Sequence, residues 1–421
     1  MPARQPAAGA ETSFSRKRPV RIIVSDYSGH PFQVQLSRAL AGLGHEVLHL
    51  YSASFQTPKG DLLRRDDDPA GFAITGVKSA QPFAKDSFVK RRSQEIEMGG
   101  LIAAEIEKFA PDVVFSSNAP IDTQVRIRRA ARKAGARFVF WVQDLYGEAI
   151  WRILRGKFGP FGDVVGRFYS GMERRLIRSS HHVVAIADEF KIQVCRQTGI
   201  PADKVTVIEN WAPLAEVPLA PRDNEWAEAN LPASPVRFIY SGTLGFKHDP
   251  GLLLKIARSV SGHVIVFSEG KAAESLAQQA KAEGVANLEV RSWLPFTDLP
   301  KALAGGDVLI VVLEPDAGIF SVPSKVLTYL CAGRPILGSV SKANLAARII
   351  AGAGAGIVEE PGDYDALIAA ARRLEADPAE RAQMGAKARA YAEKTFDIDT
   401  IAGKFANIAA RLAQPTSGDI K

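Results

Sequence analysis

Cysteine is almost missing from this chain, with only Cys195 and Cys331 among 421 residues. They lie far apart in helix-like stretches, with no CxxC spacing and no histidine-rich neighbourhood. The expectation is therefore two buried free thiols, neither a disulfide nor a thiolate metal site. Histidine is also scarce, at seven scattered residues, which argues against zinc. No apolar run approaches the roughly 20 residues that a membrane-crossing helix needs. The opening MPARQPAAGAETSFSRKRP has no continuous apolar core of the signal-peptide kind, so residues 1–17 read as a disordered lead-in and the chain as cytoplasmic. Neither charge sign is absent: 53 Lys and Arg against 46 Asp and Glu leave +7. That surplus suits an anionic substrate, an anionic lipid surface or nucleic acid. The sequence has no zinc-finger, aromatic RNA-binding or helix-turn-helix signature, so nucleic acid is not expected as a partner. No Asp-x-Asp motif follows a strand, and the aspartates of RRDDDPA (64–70) read as a solvated turn, so neither a metal nor another cofactor is expected.

What is present is a repeated rhythm. VRIIVSDY (20–27) is a short apolar run ending in turn residues, and PFQVQLSRALAGLGHEVLHLYS then supplies an amphipathic helix, a glycine stop and a second strand. This is a βαβ unit with a parallel sheet. Strand-like DVVFSS, RFVFWVQD, HVVAIA and VTVIEN alternate with helical stretches, giving six strands by about residue 209. A Pro- and Ala-rich stretch without periodicity follows, and residues 212–234 read as a linker. The second half starts over with RFIYSG, HVIVFSEG, LEVRSW, DVLIVVLE, PILGSV and GAGIVEE, each near a helix. The fold class is α/β, with two doubly wound Rossmann-like domains at 18–211 and 235–395. Ligand loops at their strand ends would face one cleft. The amphipathic segment 396–415 comes after the second sheet is complete.

Two loops of the second half carry phosphate chemistry. YSGTLGFKHDP places Gly242 and Gly245 after a strand, with Lys247 before a helix-opening proline; glycine permits close backbone approach and lysine supplies countercharge. SVPSKVLTYLCAGRPIL (321–337) places Val322, Pro323, Ser324 and Lys325 at a helix start, where unpaired N–H groups and the dipole favour an anion. The same residues also suit a plain helix cap, and this reading stays open.

The order of these pieces, with VFSEG, VRSWLPFTDLPKALAGGDVLIVVL, GAGIVEEPGD, LSRALAGLGHEV, VQDLYGEAIW, MERRLIRSSHHVVAIADEF and KVTVIENWAP, resembles the group 1 glycosyltransferases. These are the retaining family 4 with the GT-B fold, and the wording is closest to the exopolysaccharide, colanic-acid and O-antigen branch. The likeness runs from about residue 18 to residue 412. It implies transfer of a sugar from a UDP- or GDP-type nucleotide sugar to a glycan or polyprenyl-diphosphate-linked acceptor, without a metal. It assigns Gly242, Thr243 and Lys247 to the donor phosphates and Ser324 and Lys325, on the Val322–Pro323 turn, to the diphosphate and sugar. Trp293 and Leu294 fall beside the base, and Gly29 and His30 where donor and acceptor pockets meet. It also implies that the last helix crosses back to the first domain. Lys247 and Lys325 are then suited to stabilise the leaving diphosphate, and Asp144 to orient or deprotonate the acceptor hydroxyl. Asp144 also suits a helix N-cap, and His30 an ordinary loop histidine. The chain departs from the family pattern at Phe320 and Thr328, where many relatives carry glutamates, at Thr243 in place of arginine, and at Gln143 in place of histidine.

Residues 150–178 combine Phe161, Val164, Val165, Phe168 and Met172 at helical spacing with seven basic side chains. Such a stripe either lies on an anionic membrane or packs on the sheet beneath solvated arginines. Two further functions compete with transfer: a nucleotide-sugar epimerase of the same architecture, which wants a clearer acid/base carboxylate set, and a catalytically silent sugar- or nucleotide-binding relative. An exported two-domain sugar-binding protein would carry a signal peptide.

Overall fold

The computed structural model describes residues 18–54, 59–80, 88–117, 119–245, 248–314 and 322–414. Its first half runs β1 (Arg21–Asp26), α1 (Pro31–Gly42), β2 (Glu46–Ser52), β3 (Phe72–Val77), α2 (Phe88–Phe109), β4 (Val113–Ser117), α3 (Ile121–Lys133), β5 (Arg137–Val142), α4 (Tyr146–Arg178), β6 (His182–Ala185), α5 (Asp188–Thr198) and β7 (Val205–Val207). The second half opens with α6 (Glu225–Asn230), β8 (Arg237–Ser241), α7 (Pro250–Ser259), β9 (His263–Phe267), α8 (Lys271–Ala282), β10 (Leu288–Arg291), α9 (Leu299–Ala304) and β11 (Val308–Val312). It continues through α10 (Lys325–Ala332), β12 (Ile336–Ser339), α11 (Leu345–Ala353), β13 (Gly356–Glu359), α12 (Tyr364–Ala376), α13 (Pro378–Thr395) and α14 (Ile398–Ala413).

The strands form two sheets, β3-β2-β1-β4-β5-β6-β7 and β10-β9-β8-β11-β12-β13, and the pairings are parallel throughout. Central strands such as β4 and β11 are buried along their whole length, β11 as an unbroken apolar run and β4 with Ser116 and Ser117 satisfied by the side chains of Gln124 and Gln33. The strand that reading misses is β3, FAITGV. It is an edge strand with a mixed burial pattern, and Gly76 interrupts it because a Cβ there would meet the Tyr51 hydroxyl at 2.6 Å. In such sheets the order reverses at one place, and ligands gather beyond the strand ends there. In the first sheet the reversal lies between β1 and β4, in the second between β8 and β11.

The stretch read as a linker is not featureless. Asn224 caps α6 by accepting from the Ala227 N–H (3.1 Å), and its amide reaches the Lys301 carbonyl (3.1 Å). Arg222 binds both oxygens of Asp307 at 3.0 Å, so this part of the chain is fastened to the second domain. Local capping and ion pairs, among them Glu216 with Arg65 of the first domain at 3.0 Å, order a segment whose six-residue helix is too short to show a period. Helix α14 lies on the first domain against α1 and β4. Its Phe405 packs on Phe115, Trp141 and Trp211 with ring centroids at 5.3, 4.8 and 6.3 Å.

Helix α4 is two arms, not one rod. Gly159 adopts φ 55° and ψ −133°, and Pro160 follows. The arms fold onto each other through glycines: a Cβ on Gly162 would lie 1.9 Å from the Leu154 carbonyl oxygen, and one on Gly166 would lie 2.5 Å from Trp151 Cα. Trp151 Nε1 donates to Asp163 across the arms (2.8 Å). Buried Glu173 accepts from the Gly147 N–H (3.1 Å). The apolar stripe read along this segment is therefore not the packing face. Phe161, Val164 and Phe168 point to solvent, while Val165 and Met172 are half-buried. Both thiols are free, Cys331 buried and Cys195 only half-buried. In the 64–70 run Asp66 and Asp67 are solvated, whereas the Asp68 side chain is buried and holds Arg38 at 2.6 Å.

Replacing Phe405 with Ala removes a fully buried ring from the aromatic cluster and should lower the unfolding free energy by about 3 to 5 kcal/mol. Urea unfolding followed by tryptophan fluorescence measures it; a loss under about 1 kcal/mol would show that α14 adds little to the first domain.

Candidate functional site

Between the strand ends of the two sheets lies a cavity of about 370 Å³. His30 and Asp144 line it from the first domain, and Gly242, Thr243, Trp293, Leu294, Val322, Pro323, Ser324 and Lys325 from the second. Ten sequence-predicted residues thus converge on one place. Gly29 does not line it. That residue takes φ 78° and its carbonyl accepts from the Gly60 N–H (2.9 Å), so it shapes the loop that presents His30. Lys247 and Phe320 lie outside the described residues.

The second-domain wall is organised by α10. Ser324 sits at its N-cap position, but its exposed hydroxyl makes no capping bond, so the plain-cap reading leaves that hydroxyl unexplained. Lys325 is the first helical residue. Its stem lines the cavity, while its Nζ is shut off from solvent over the Tyr240 ring (3.5 Å) and has no hydrogen-bond partner among the described residues. Gly242 makes this possible: its φ is 135°, and a Cβ there would crowd Lys325 Nζ at 3.0 Å. Tyr329, one turn along α10, ties the helix to the β8 end. Its hydroxyl accepts from the Ser241 N–H (2.9 Å) and donates to the Ser241 carbonyl (3.3 Å). Burial without a counter-ion holds the Lys325 ammonium well below the usual lysine pKa. An anion in the cavity would supply the missing partner, and the lysine's flexible stem can deliver the charge to it.

The first-domain wall rests on a residue the sequence reading passed over. Asp26, fully buried at the end of β1, accepts from the Ser28 N–H (3.1 Å) and from the His30 N–H, and its Oδ1 lies 3.3 Å from His30 Nδ1. Burial alone would raise the Asp26 carboxyl; the charge and hydrogen bonds of His30, with the nearby His49, outweigh it and hold the pKa below the usual carboxylate value. Asp26 therefore fixes the tautomer-bearing side of the His30 ring, as a carboxylate does in other histidine sites. Lys59 also faces the cavity, with its ammonium on the carbonyls of Ser52 (2.9 Å) and Ala53 (3.4 Å).

Asp144 is half-buried in the β5–α4 loop. The N-cap of α4 is Leu145, with no side-chain cap bond, so Asp144 is not the helix cap that the sequence also allowed. Its neighbour Gln143 forms a reciprocal amide pair with Asn210 at 3.1 and 2.5 Å, which ties the end of β5 to the segment after β7. Trp211 stacks on Trp141 (6.0 Å, 13°) and closes the cavity's floor with Ala212 and Pro213. Of the missed residues, Asp26 had a legible signal, an acidic residue ending an apolar strand four positions before a histidine. Tyr240 and Tyr329 had none, because an aromatic residue in a strand or core helix reads as packing.

A desolvated ammonium carries a signed pH effect. Between the depressed Lys325 pKa and the ordinary value of about 10.4, the unfolded chain binds more protons than the folded one, so stability rises with pH across that window and is lost as pH falls through the folded pKa. Lys325→Met removes the buried charge at similar volume. It should raise the unfolding free energy of the ligand-free protein by about 1 kcal/mol or more near neutral pH and flatten that slope. Urea titrations at several pH values decide it; a destabilised variant would mean that the ammonium is already satisfied.

Residues 32–216 match the family model Glycosyltransferase Family 4. The chain is 24% identical over 308 residues to the putative colanic acid biosynthesis glycosyl transferase WcaI of Escherichia coli K12, covering 71% of this chain and 74% of that protein. Among solved structures it resembles sucrose-phosphate synthase from Thermosynechococcus elongatus, with TM-score 0.72 and 13% identity over 93% of this chain and 98% of the other. It also resembles Anabaena HepE in complex with UDP and glucose, with TM-score 0.67 and 16% identity over 92% of this chain and 99% of the other. The protein is a glycosyltransferase of the GT-B fold, and its residues 32–216 are similar to the Glycosyltransferase Family 4 model.

Proposed function

We propose that this enzyme transfers a sugar from a UDP-sugar to a hydroxyl of a glycan, free or carried on a polyprenyl diphosphate, in the assembly of a surface polysaccharide. The observation that carries the donor half is Lys325, an unpaired ammonium behind a helix N-terminus with a glycine opposite that makes room for it. UDP is favoured over GDP because HepE has been solved with UDP and with UDP-glucose at a similar fold. The polysaccharide setting comes from WcaI.

In this reading the diphosphate lies against the turn of Val322–Lys325 and the Gly242–Thr243 loop, and the base lies beside Trp293 and Leu294. As the bond between the sugar's anomeric carbon and the diphosphate oxygen breaks, negative charge grows on the leaving group. Lys325, the positive end of the α10 dipole and, outside the described residues, Lys247 answer it without a metal. The acceptor oxygen forms the new bond to the anomeric carbon, on the same face if the family's retention holds. Its proton passes to the departing diphosphate or to a base, the role given to Asp144; His30, braced by Asp26, orients the acceptor. An epimerase needs an acid and a base on opposite faces of its sugar. Among the described cavity-lining residues Asp144 is the one carboxylate, which favours transfer. The work is assigned to the cytoplasmic side of the membrane, where lipid-linked acceptors are built. Among the described residues no helix is long and apolar enough to cross a membrane.

Calorimetry with UDP, GDP and ADP tests the donor site. UDP should bind, and Lys325→Met should weaken it by about 1.5 to 3 kcal/mol, the size of a charge-assisted bond. Failure of every nucleotide to bind, or an unchanged affinity in the variant, would remove the donor assignment. For the acceptor half, Asp144→Asn should lower kcat about 100-fold or more while leaving UDP affinity intact. A fall in UDP affinity with kcat preserved would place Asp144 in binding instead.

A further inference from the structure

The α4 hairpin presents an apolar ridge that the fold does not use. Phe161 is 74% exposed, Val164 67%, Phe168 53%, Phe158 52% and Ile153 42%, all on the two arms joined at Gly159. The arms already satisfy each other through Gly162, Gly166 and the Trp151–Asp163 bond, so no rearrangement within the hairpin would cover the ridge. A contiguous exposed patch of this kind marks a surface that meets something apolar.

Charge identifies the partner. Arg152, Arg155, Lys157, Arg167 and Arg174 are exposed on the same hairpin. The exposed or half-exposed acids there, Glu148 and Asp163, are already engaged with Arg152 and Arg167 at 2.8 Å, and Glu173 is buried. A second copy of the chain would set one basic face against another. An anionic lipid surface instead accepts the rings at headgroup depth and pairs its phosphates with the guanidinium groups. A recess of about 320 Å³ between the arms is lined by Glu148, Trp151, Arg167, Ser170, Gly171 and Arg174, its one carboxylate already held by Arg152, so two guanidiniums leave its wall net positive.

We infer that the α4 hairpin docks this enzyme onto an anionic membrane, inserting Phe161, Val164 and Phe168. The hairpin leaves the first domain directly from the cavity rim, since Asp144 lines the cavity and α4 begins at Tyr146. Docking therefore brings the acceptor wall to the bilayer, where a lipid-carried acceptor resides. This deepens the lipid-linked reading of the acceptor and rests on that reading only for its purpose, not for the contact itself.

The test is co-sedimentation of the full chain with phosphatidylcholine vesicles with and without phosphatidylglycerol. The wild type should bind the anionic vesicles, less so as salt is raised. The triple variant Phe161→Ser, Val164→Ser, Phe168→Ser should partition about tenfold or more weakly, and so should Arg152→Gln, Arg155→Gln, Lys157→Gln. Both keep the wild-type melting temperature and UDP affinity, because the replaced side chains are exposed and line no part of the cavity. UDP binding thus reports on the donor reading separately. No preference of the wild type for anionic vesicles, or equal binding by the ridge variant, overturns the inference. So does a concentration-dependent dimer, in sedimentation, that the ridge variant abolishes.

Discussion

An ammonium held out of water without a counter-ion is a cost that a fold ordinarily avoids, by pairing it or by leaving it on the surface. Here Lys325 is kept in that position by its surroundings. Helix α10 begins at Lys325 because the Val322–Ser324 turn ends there, Tyr329 pins the helix to the Ser241 backbone, and Gly242 leaves the space a Cβ would occupy. The Tyr240 ring faces the charge with its negative π-surface, which offsets part of the desolvation but offers no proton acceptor. The cavity wall near it reads as the complement of this unsatisfied ammonium. It has glycine where backbone must come close, a free hydroxyl at the N-cap, and a mostly apolar wall that keeps the local dielectric low.

Topology explains why the two loops meet. The order of the second sheet reverses between β8 and β11, so the loops that follow these strands splay apart from their outer neighbours and face each other. The Gly242–Thr243 loop follows β8 and the Val322–Lys325 turn precedes the helix after β11. The first sheet reverses between β1 and β4, where Asp26 ends β1 and the loop after it carries His30. Strand order places each loop at the switch point of its own sheet, and one cavity between the two sheets gathers His30 and Lys325 on facing walls.

The sequence was most legible where the physics is local. Twelve of the thirteen strands among the described residues are visible as largely apolar runs, because a parallel strand covered on both faces is filled mainly by apolar side chains; β3 is not, because an edge strand with Gly76 escapes that constraint. Two loops drew notice through Gly, Ser and Lys at strand-to-helix turns, and ten of the residues named from them and from the family likeness line one cavity. What could not be read is set by packing between distant segments. The Lys325–Tyr240 contact is one case. The folding of α4 is the other: periodicity in residues 150–178 suggested a single amphipathic face, but Gly162 and Gly166, which carry no hydrophobic signal, are what the arms pack with. A helical period reports which residues share a side, not which side is covered.

The position of Phe405 bears on how the chain is made. Its ring fills the space among Phe115, Trp141 and Trp211, all of which belong to the first half of the sequence. On a ribosome adding about 5 to 20 residues per second, those three side chains are complete about 10 to 40 s before residue 405 exists. The first domain must wait through that interval with an aromatic slot open, so its last step of folding belongs to the chain's final helix. Synthesis of the second domain is thereby a condition for finishing the first.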